Sequence, residues 1–330
     1  MTESPQRTKP FIVQRDGAPE VGSLRGAVLA IGNFDGVHRG HRAVIDAARA
    51  RAKALGRPAA ALTFEPHPAA VLRPHDSLFR LTDETNKLRL LAATGLDGAI
   101  VLKFDAALAA LSPEEFVSRI LAGRYGFAGA AIGFDFHFGK NRMGSPAFLV
   151  AEGEKRGFSV DVLPPLQDEG RPVSSGTIRT ALAGGRVVEA AELLGYPWFV
   201  SGAVIPGDKR GRDLGYPTAN LRLDPACGLK HGIYAVRVSV EGRHYDAVAS
   251  FGRRPMFDNG APLLEVFLFD FDGDLYGKTI DVAFIAWIRH EMKFDTVEDL
   301  VRHMDEDSAR AREALARSGD AFPLLGAIGT

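Results

Sequence analysis

Apolar positions along the chain follow two patterns, and the change between them falls near Gly195–Trp198. Before it, Ala99–Phe104, Ala130–Phe134 and Phe158–Val162 read as strands, and Ala27–Ile31, with no polar alternation, and Ala59–Phe64 are short apolar runs. Such runs suit strands buried on both faces. Segments of helical period stand among them. Gly40–Leu55 carries Val44, Ile45, Ala47, Ala48, Ala52 and Leu55 at that spacing. Thr82–Thr94 reads as a helix with Thr82 as N-cap. Ser112-Pro113-Glu114-Glu115 is a capping box that opens a helix to about Ala122. Ser174–Ala183 begins as a turn and becomes a helix. Strands alternating with helices predict an α/β fold with a mostly parallel sheet covered on both faces. The polar stretch before about Glu20 is expected to be a tail or an edge segment.

After Pro197 the period shortens. Ile233–Val240, His244–Phe251, Leu263–Phe271 and Thr279–Ile288 are rich in Val, Ile, Phe and Tyr, with turn residues between them. Val236, Val238 and Val240 alternate with Arg237 and Ser239, the pattern of a half-buried antiparallel strand. A last helix is expected from Thr296 to about Ser318, with charge pairs such as Glu306 with Arg310. Two domains follow, 1–197 and 198–330, and 330 residues suffice for a core in each.

Composition narrows the class. Hydrophobic residues make up 46% and charged residues 25%, ordinary for a globular protein. The net charge of -1 offers no basic field for a nucleic-acid partner. The single cysteine, Cys227, excludes an internal disulfide framework and suits a reducing compartment. The opening MTESPQRTKP has no apolar leader core, and no run of eighteen apolar residues follows. A cytoplasmic protein without a membrane span is expected, with a homo-oligomer left open.

The stretch AVLAIGNFDGVHRGHRAVI, Ala27 to Ile45, holds the first candidate chemistry. It predicts a strand, a turn spaced by Gly32, Gly36 and Gly40 around Phe34, and a helix whose start carries His38 and His41. A helix N-terminus with free N–H groups attracts phosphate, and two imidazoles add donors. A zinc half-site and a purely structural histidine pair are the alternatives, and no matching Cys/His pair lies nearby for the first. The common nucleotide loops are absent: no G-x-G occurs, and Gly273 to Thr279 has one residue too few between its glycines for a P-loop.

Three further stretches follow strands or open a helix, where ligands of such sheets bind. Thr63-Phe64-Glu65-Pro66-His67-Pro68 ends the second strand, and Gly133-Phe134-Asp135-Phe136-His137-Phe138-Gly139 ends the fourth. Aromatics around Asp135 and His137 suit either core or stacking on a flat ring. Val173-Ser174-Ser175-Gly176-Thr177-Ile178-Arg179 pairs hydroxyls with a cation, as a triphosphate clamp does, or as a Ser-capped helix with an exposed Arg does.

The string G-x-F-D-G-V-H-x-G-H, with His38, Gly40 and His41, resembles the signature of the FMN adenylyltransferases within the nucleotidylyltransferase superfamily. The resemblance to the adenylyltransferase module of bacterial bifunctional riboflavin kinase/FAD synthetases covers about Leu29 to Leu194. It implies a Rossmann-like nucleotidyltransferase sheet, with ATP and Mg²⁺. His38, His41 and Arg179 would be catalytic, and Gly32, Phe34, Gly36, Gly40, Ser174 and Ser175 would hold phosphate. Phe64, His67, Asp135, Phe136 and Phe138 would meet the flavin, and Asp35 is a candidate for the metal. The family reads S-S-T-x-I-R where this chain has Gly176 in place of the Thr.

In the second half, Pro206 to Asn220 is a glycine-rich basic loop running into Pro217-Thr218-Ala219-Asn220. Its N–H groups and cations suit phosphate, and charge alone suits a solvated or nucleic-acid-binding loop equally. The P-T-A-N string, with Gly232-Ile233-Tyr234 and Leu263-Leu264-Glu265-Val266, resembles the riboflavin kinases over about Val200 to Leu315. That implies a smaller antiparallel β-barrel with a C-terminal helix. Gly207, Lys209, Gly211 and Arg212 would bind nucleotide phosphate, Thr218 and Asn220 would hold Mg²⁺ with it, and Glu265 would be the base. Ser250 and Met256 stand where the family has Asn and Thr. The expected activity makes FMN from riboflavin and ATP, then FAD and pyrophosphate from FMN and ATP. The rivals are adenylyl transfer with a barrel that is only a binding module, and an OB-like nucleic-acid binder attached to a nucleotide sensor.

Overall fold

A computed structural model describes residues 10–17, 22–168, 170–207, 214–253 and 262–329. Lys209, Gly211, Arg212 and Met256 lie outside the described residues. The chain divides into two compact units. One holds Met1–Leu78, Thr82–Ser174 and Leu324–Thr330, and the other holds Phe79–Leu81 and Ser175–Pro323.

The first unit runs β1 (Ile12–Arg15), β2 (Val28–Ile31), α1 (Arg39–Leu55), β3 (Ala59–Glu65), α2 (Pro68–Leu72), α3 (Glu84–Ala92) and β4 (Gly98–Lys103). It continues with α4 (Ala106–Ala109), α5 (Pro113–Glu115, extended as a π-helix over Phe116–Arg124), β5 (Gly129–Gly133), α6 (Pro146–Arg156) and β6 (Ser159–Leu163). A small ribbon, β7 (Gln167–Asp168) and β8 (Arg171–Pro172), ends it. The sheet order is β1-β4-β3-β2-β5-β6, with every pairing parallel. The stretch before Glu20 therefore contributes an edge strand. All four β2 residues are buried, as the unbroken apolar run requires. Strand order reverses beside β2: the chain builds outward through β3 and β4, then returns to place β5 and β6 on the other side. Such reversals open a crevice at the carboxyl ends of the strands.

The capping box at Ser112 forms, with its hydroxyl and the Glu115 carboxylate each taking a backbone N–H. Thr82, however, is not a cap. Asp83 caps α3 by accepting from the Asn86 N–H, and the helix starts at Glu84.

The second unit opens with α7 (Ser175–Ala183) and α8 (Val187–Leu194), followed by β9 (Phe199–Ala203) and β10 (Ala219–Arg222). Four long strands follow: β11 (Gly232–Val240), β12 (Arg243–Arg253), β13 (Pro262–Leu268) and β14 (Thr279–Arg289). Their order is β10-β13-β12-β11-β14-β9, entirely antiparallel. A bridge between Ile205 and Asn220 joins the two edges and nearly closes the barrel. Val236, Val238, Val266 and Phe284 fill its interior. The long helix Val297–Arg317 lays Ala311 and Leu315 on Ala235, Phe269 and Ile285 outside it.

Two expectations change here. The polar face of β11 is not open: Arg237 is buried and donates to Asp246 and to the Gly319 and Ala321 carbonyls. Glu306 pairs with Arg302 at 2.9 Å, one turn back, rather than with Arg310.

Candidate active sites

The turn after β2 is built by close approach. Gly36 has φ 83°, and Phe34 and Val37 also sit at positive φ, 50° and 37°. Held by their neighbours, these two non-glycine residues carry backbone strain. A Cβ on Gly32 would meet the Phe34 ring at 3.4 Å. A Cβ on Gly40 would lie 3.1 Å from the His38 ring and 3.2 Å from the Val173 carbonyl oxygen. Glycine at 40 therefore lets the segment leading to Ser174 close on the start of α1. Arg39 and Asp168 add an ion pair there at 3.1 Å.

His38 is the N-cap of α1, and its Nδ1 accepts the His41 N–H at 3.2 Å. An accepting Nδ1 leaves the proton of the neutral ring on Nε2. The two imidazoles stack, with centroids 3.6 Å apart, and Phe34 meets His41 edge-on at 5.2 Å. The Nδ1 of His41 is buried with no hydrogen-bond partner among the described residues. Burial first, then the adjacent His38 and Lys87, push the His41 pKa well below the ordinary imidazole value. At neutral pH His41 is therefore a neutral imidazole, stacked on His38 at the helix N-terminus.

Asp35 is buried, and its Oδ1 accepts from the Thr82 N–H at 3.1 Å and the Thr82 hydroxyl at 3.5 Å. The Thr82 hydroxyl in turn accepts from the Gly36 N–H at 3.1 Å. Neither Thr82 nor Lys87 carried a site signal in the sequence. Lys87 is 1% exposed and donates from Nζ to Glu65 Oε1 at 2.7 Å and to the Phe64 carbonyl at 3.3 Å.

Of the flavin candidates, Phe64 and Phe138 are core residues. Phe136 is half-buried and stacks on Phe138 at 5.4 Å, while Asp135 is exposed. His67 caps α2, its Nδ1 accepting from the Ala69 N–H. Ser174 ends the first unit, and Ser175 opens α7. Arg179 belongs to the second unit, where its Nε donates to the Phe79 carbonyl at 2.5 Å.

On the barrel, three neighbouring strands align Asn220, Glu265 and Ser250 in register. Residues directly opposite in antiparallel pairs share a face, so the three form a row. The same face of β12 and β13 carries Val248 and Phe267, which pack beside the long helix. Asn220 is buried and donates to the Thr218 carbonyl at 3.2 Å. A Cβ on Gly207 would strike the Asn220 side chain at 2.4 Å, which accounts for glycine there. Tyr216 packs on Phe267 at 4.8 Å and hydrogen-bonds to Asp305 of the long helix. Arg289, aligned with Ile233 in the same row, grips Asp307 with two bonds of 2.6 and 2.8 Å.

Both halves match known proteins. A sequence model of FAD synthetases covers residues 21–177, and one of riboflavin kinases covers 194–315. A bifunctional riboflavin kinase/FMN adenylyltransferase of Pseudomonas fluorescens is 40% identical over 89% of this chain and 94% of its own. The chain belongs to the bifunctional riboflavin kinase/FMN adenylyltransferase family.

Relatives bearing that family name in Escherichia coli K12 and Bacillus subtilis are 37% and 36% identical, over 87% and 86% of this chain and 92% and 91% of theirs. A solved structure described as a macrolide-efflux protein of Streptococcus pneumoniae shares the fold: TM-score 0.80, 31% identity, 92% of this chain and 99% of that one. The described helices here include none long and apolar enough to cross a membrane. The FAD synthetase match includes the His38–His41 turn, and the riboflavin kinase match includes the Asn220–Glu265–Ser250 row.

Proposed function

We propose that residues 1–197 carry adenylyl transfer from ATP to FMN and residues 198–330 carry phosphorylation of riboflavin, both in the cytoplasm. The single observation that carries the first assignment is the stacked His38–His41 pair at the reversal of strand order. FMN brings an ionised phosphate as nucleophile, so that step needs no protein base. Its oxygen attacks the α-phosphorus of ATP, the bond to the β-phosphate bridging oxygen breaks, and pyrophosphate leaves. The demand is alignment of two anions and donors for the charge on the leaving group. His38, His41 and the α1 N-terminus fill that role in our reading, with Ser174 on phosphate.

Riboflavin brings an alcohol and does need a base. We assign that to Glu265, which takes the hydroxyl proton as the oxygen attacks the γ-phosphorus of ATP and ADP leaves. Among the described residues no three His, Cys, Asp or Glu side chains form a cation cage, which suits Mg²⁺ arriving with the nucleotide. Bound there, Mg²⁺ would neutralise phosphate charge. Thr218 and Asn220 are the oxygens assigned to it, while Asp35, engaged by Thr82, is assigned to the turn.

The test is to separate flavins over time from riboflavin, ATP and Mg²⁺. The expected course is FMN rising and then converting to FAD. Riboflavin left untouched while added FMN becomes FAD would reduce the barrel to a binding module.

A further inference from the structure

The sequence predicts a helix over Thr82–Thr94, and Lys87 lies within it. Lys87 is 1% exposed, and lysines are almost never so buried unless paired. Its partner is Glu65, whose side chain is 11% exposed, with Nζ–Oε1 at 2.7 Å. A second Nζ bond reaches the Phe64 carbonyl at 3.3 Å. Both acceptors lie at the carboxyl end of β3, immediately before Pro66 and the His67 cap. Five residues earlier, Thr82 locks Asp35 and Gly36 of the turn after β2. The start of α3 thus holds two neighbouring strand ends of the parallel sheet, and both are loops on the crevice side.

Resting on the adenylyltransferase reading above, we propose that Lys87 is a positioning residue for adenylyl transfer: it fixes the Phe64–Glu65 end of β3, the strand paired with β2, whose turn leads to His38 and His41. A purely stabilising pair has a cheaper alternative, because well-packed apolar residues usually serve a core at least as well as a buried ion pair. The charge has a direct effect on the site. Groups acting on His41 are its stacked neighbour His38, 3.6 Å between centroids, and Lys87, with Glu65 as the counter-charge of Lys87 and Phe34 as an uncharged edge contact. Both named charges lower the His41 pKa, in addition to burial. Lys87 therefore helps keep His41 neutral, and the same charge would add to the attraction of a triphosphate.

The experiment compares wild type, Lys87→Met and Lys87→Met/Glu65→Gln. Removing lysine alone strands a buried carboxylate and threatens the fold, so the charge-neutral double variant is decisive. It is expected to unfold cooperatively like wild type and to form FAD from FMN roughly tenfold or more slowly, the scale of a misaligned reactant. Riboflavin phosphorylation should stay within about twofold, because a change in alignment confined to one site leaves the other unaltered. His41, followed by NMR of its ring carbon protons, should titrate at higher pH than in wild type. A double variant that folds and keeps its FAD rate, that leaves the His41 titration in place, or that does not fold would overturn the proposal, the last by assigning the pair to stability alone. Wild-type protein that leaves FMN unchanged sinks the adenylyltransferase reading itself before any variant is compared.

Discussion

Asp35 and Thr82, 47 residues apart, hold one another in a buried pair: the carboxylate takes the threonine N–H at 3.1 Å, and the threonine hydroxyl takes the Gly36 N–H at 3.1 Å. This pair fixes a turn whose Phe34 and Val37 have strained positive φ. Thr82→Val keeps shape and removes the hydroxyl, leaving the Gly36 N–H without that acceptor. Losing one buried hydrogen bond costs about 1–3 kcal/mol. The expected result in denaturant unfolding is a loss of that size, with slower FAD formation and unchanged riboflavin phosphorylation. A variant as stable and as fast as wild type would remove Thr82 from the turn's support.

The same pair shows where sequence reasoning stops. The parallel strands β2 to β6 of the first unit were legible as short apolar runs, unbroken where burial on both faces demands it, as in β2, while the edge strand β6, with Ser159 and Asp161, is only partly buried. Thr82 was read as an N-cap because Thr and Asp are both good caps and stand side by side. The choice of Asp83 depends on the Thr82 hydroxyl being engaged by a residue far away in sequence. Arg237 misled for the same reason: alternation predicted an open face, and chain returning after the long helix covers it. Lys87 left no local trace, since its meaning lies in Glu65, 22 residues earlier. The motif residues were legible individually. Their geometry was not: Phe64 packs in the core, and of the two readings open for the aromatics around Asp135 and His137, Phe138 takes the core one.

The buried Arg289–Asp307 bridge ties the end of β14 to the long helix, with side-chain exposures of 16% and 7%. Asp307→Asn leaves a buried guanidinium without its counter-charge, and breaking such a pair costs about 3–5 kcal/mol. Thermal unfolding of the second unit should shift down markedly. FAD formation from added FMN, measured below that transition, should persist.

His41 gives the first unit a pH dependence of known sign. Its folded pKa lies well below the ordinary value of 6.5, so the unfolded chain takes up the proton first as pH falls. The contribution is fully present above about 6.5, where neither state is protonated at that ring. It is lost progressively below, until the folded ring protonates too. His41→Gln removes the titration, so between pH 7.5 and 5.5 the variant should lose less stability than wild type, measured by urea unfolding. FMN should accumulate in the same variant when riboflavin and ATP are supplied. Equal slopes for the two proteins would show that His41 is not held neutral.

Tyr216 precedes Pro217-Thr218, and its hydroxyl bonds to Asp305. Burial, then that carboxylate, pushes the phenol up to about 12. A raised folded value means that its contribution is complete below the unfolded value near 10 and fades as pH rises through 12. Tyr216→Phe keeps the ring on Phe267 and removes the bond. Losing one hydrogen bond to a charged group costs about 1.5–3 kcal/mol, and the variant's stability should fall less steeply than wild type above pH 10. If Tyr216 also steadies Thr218, the KM for ATP in riboflavin phosphorylation rises while FAD formation from FMN holds.

Glu265 separates the two activities most sharply. It stands between Asn220 and Ser250 in a row across three strands, and the alternation of β13 sends Leu264 and Val266 to the interior and Glu265 to the other face. A carboxylate there that takes a proton from an alcohol cannot be replaced by an amide of the same shape. Loss of a general base costs roughly 10²–10⁴-fold in rate. Glu265→Gln is therefore expected to fold normally, to lose riboflavin phosphorylation by at least that factor, and to convert added FMN to FAD at the wild-type rate. Glu265→Asp, which keeps the base and retracts it, should fall between. A glutamine variant that still phosphorylates riboflavin would move the base elsewhere and leave Glu265 as a binding contact. A glutamine variant that also loses FAD formation from FMN would mean that the two halves do not act independently.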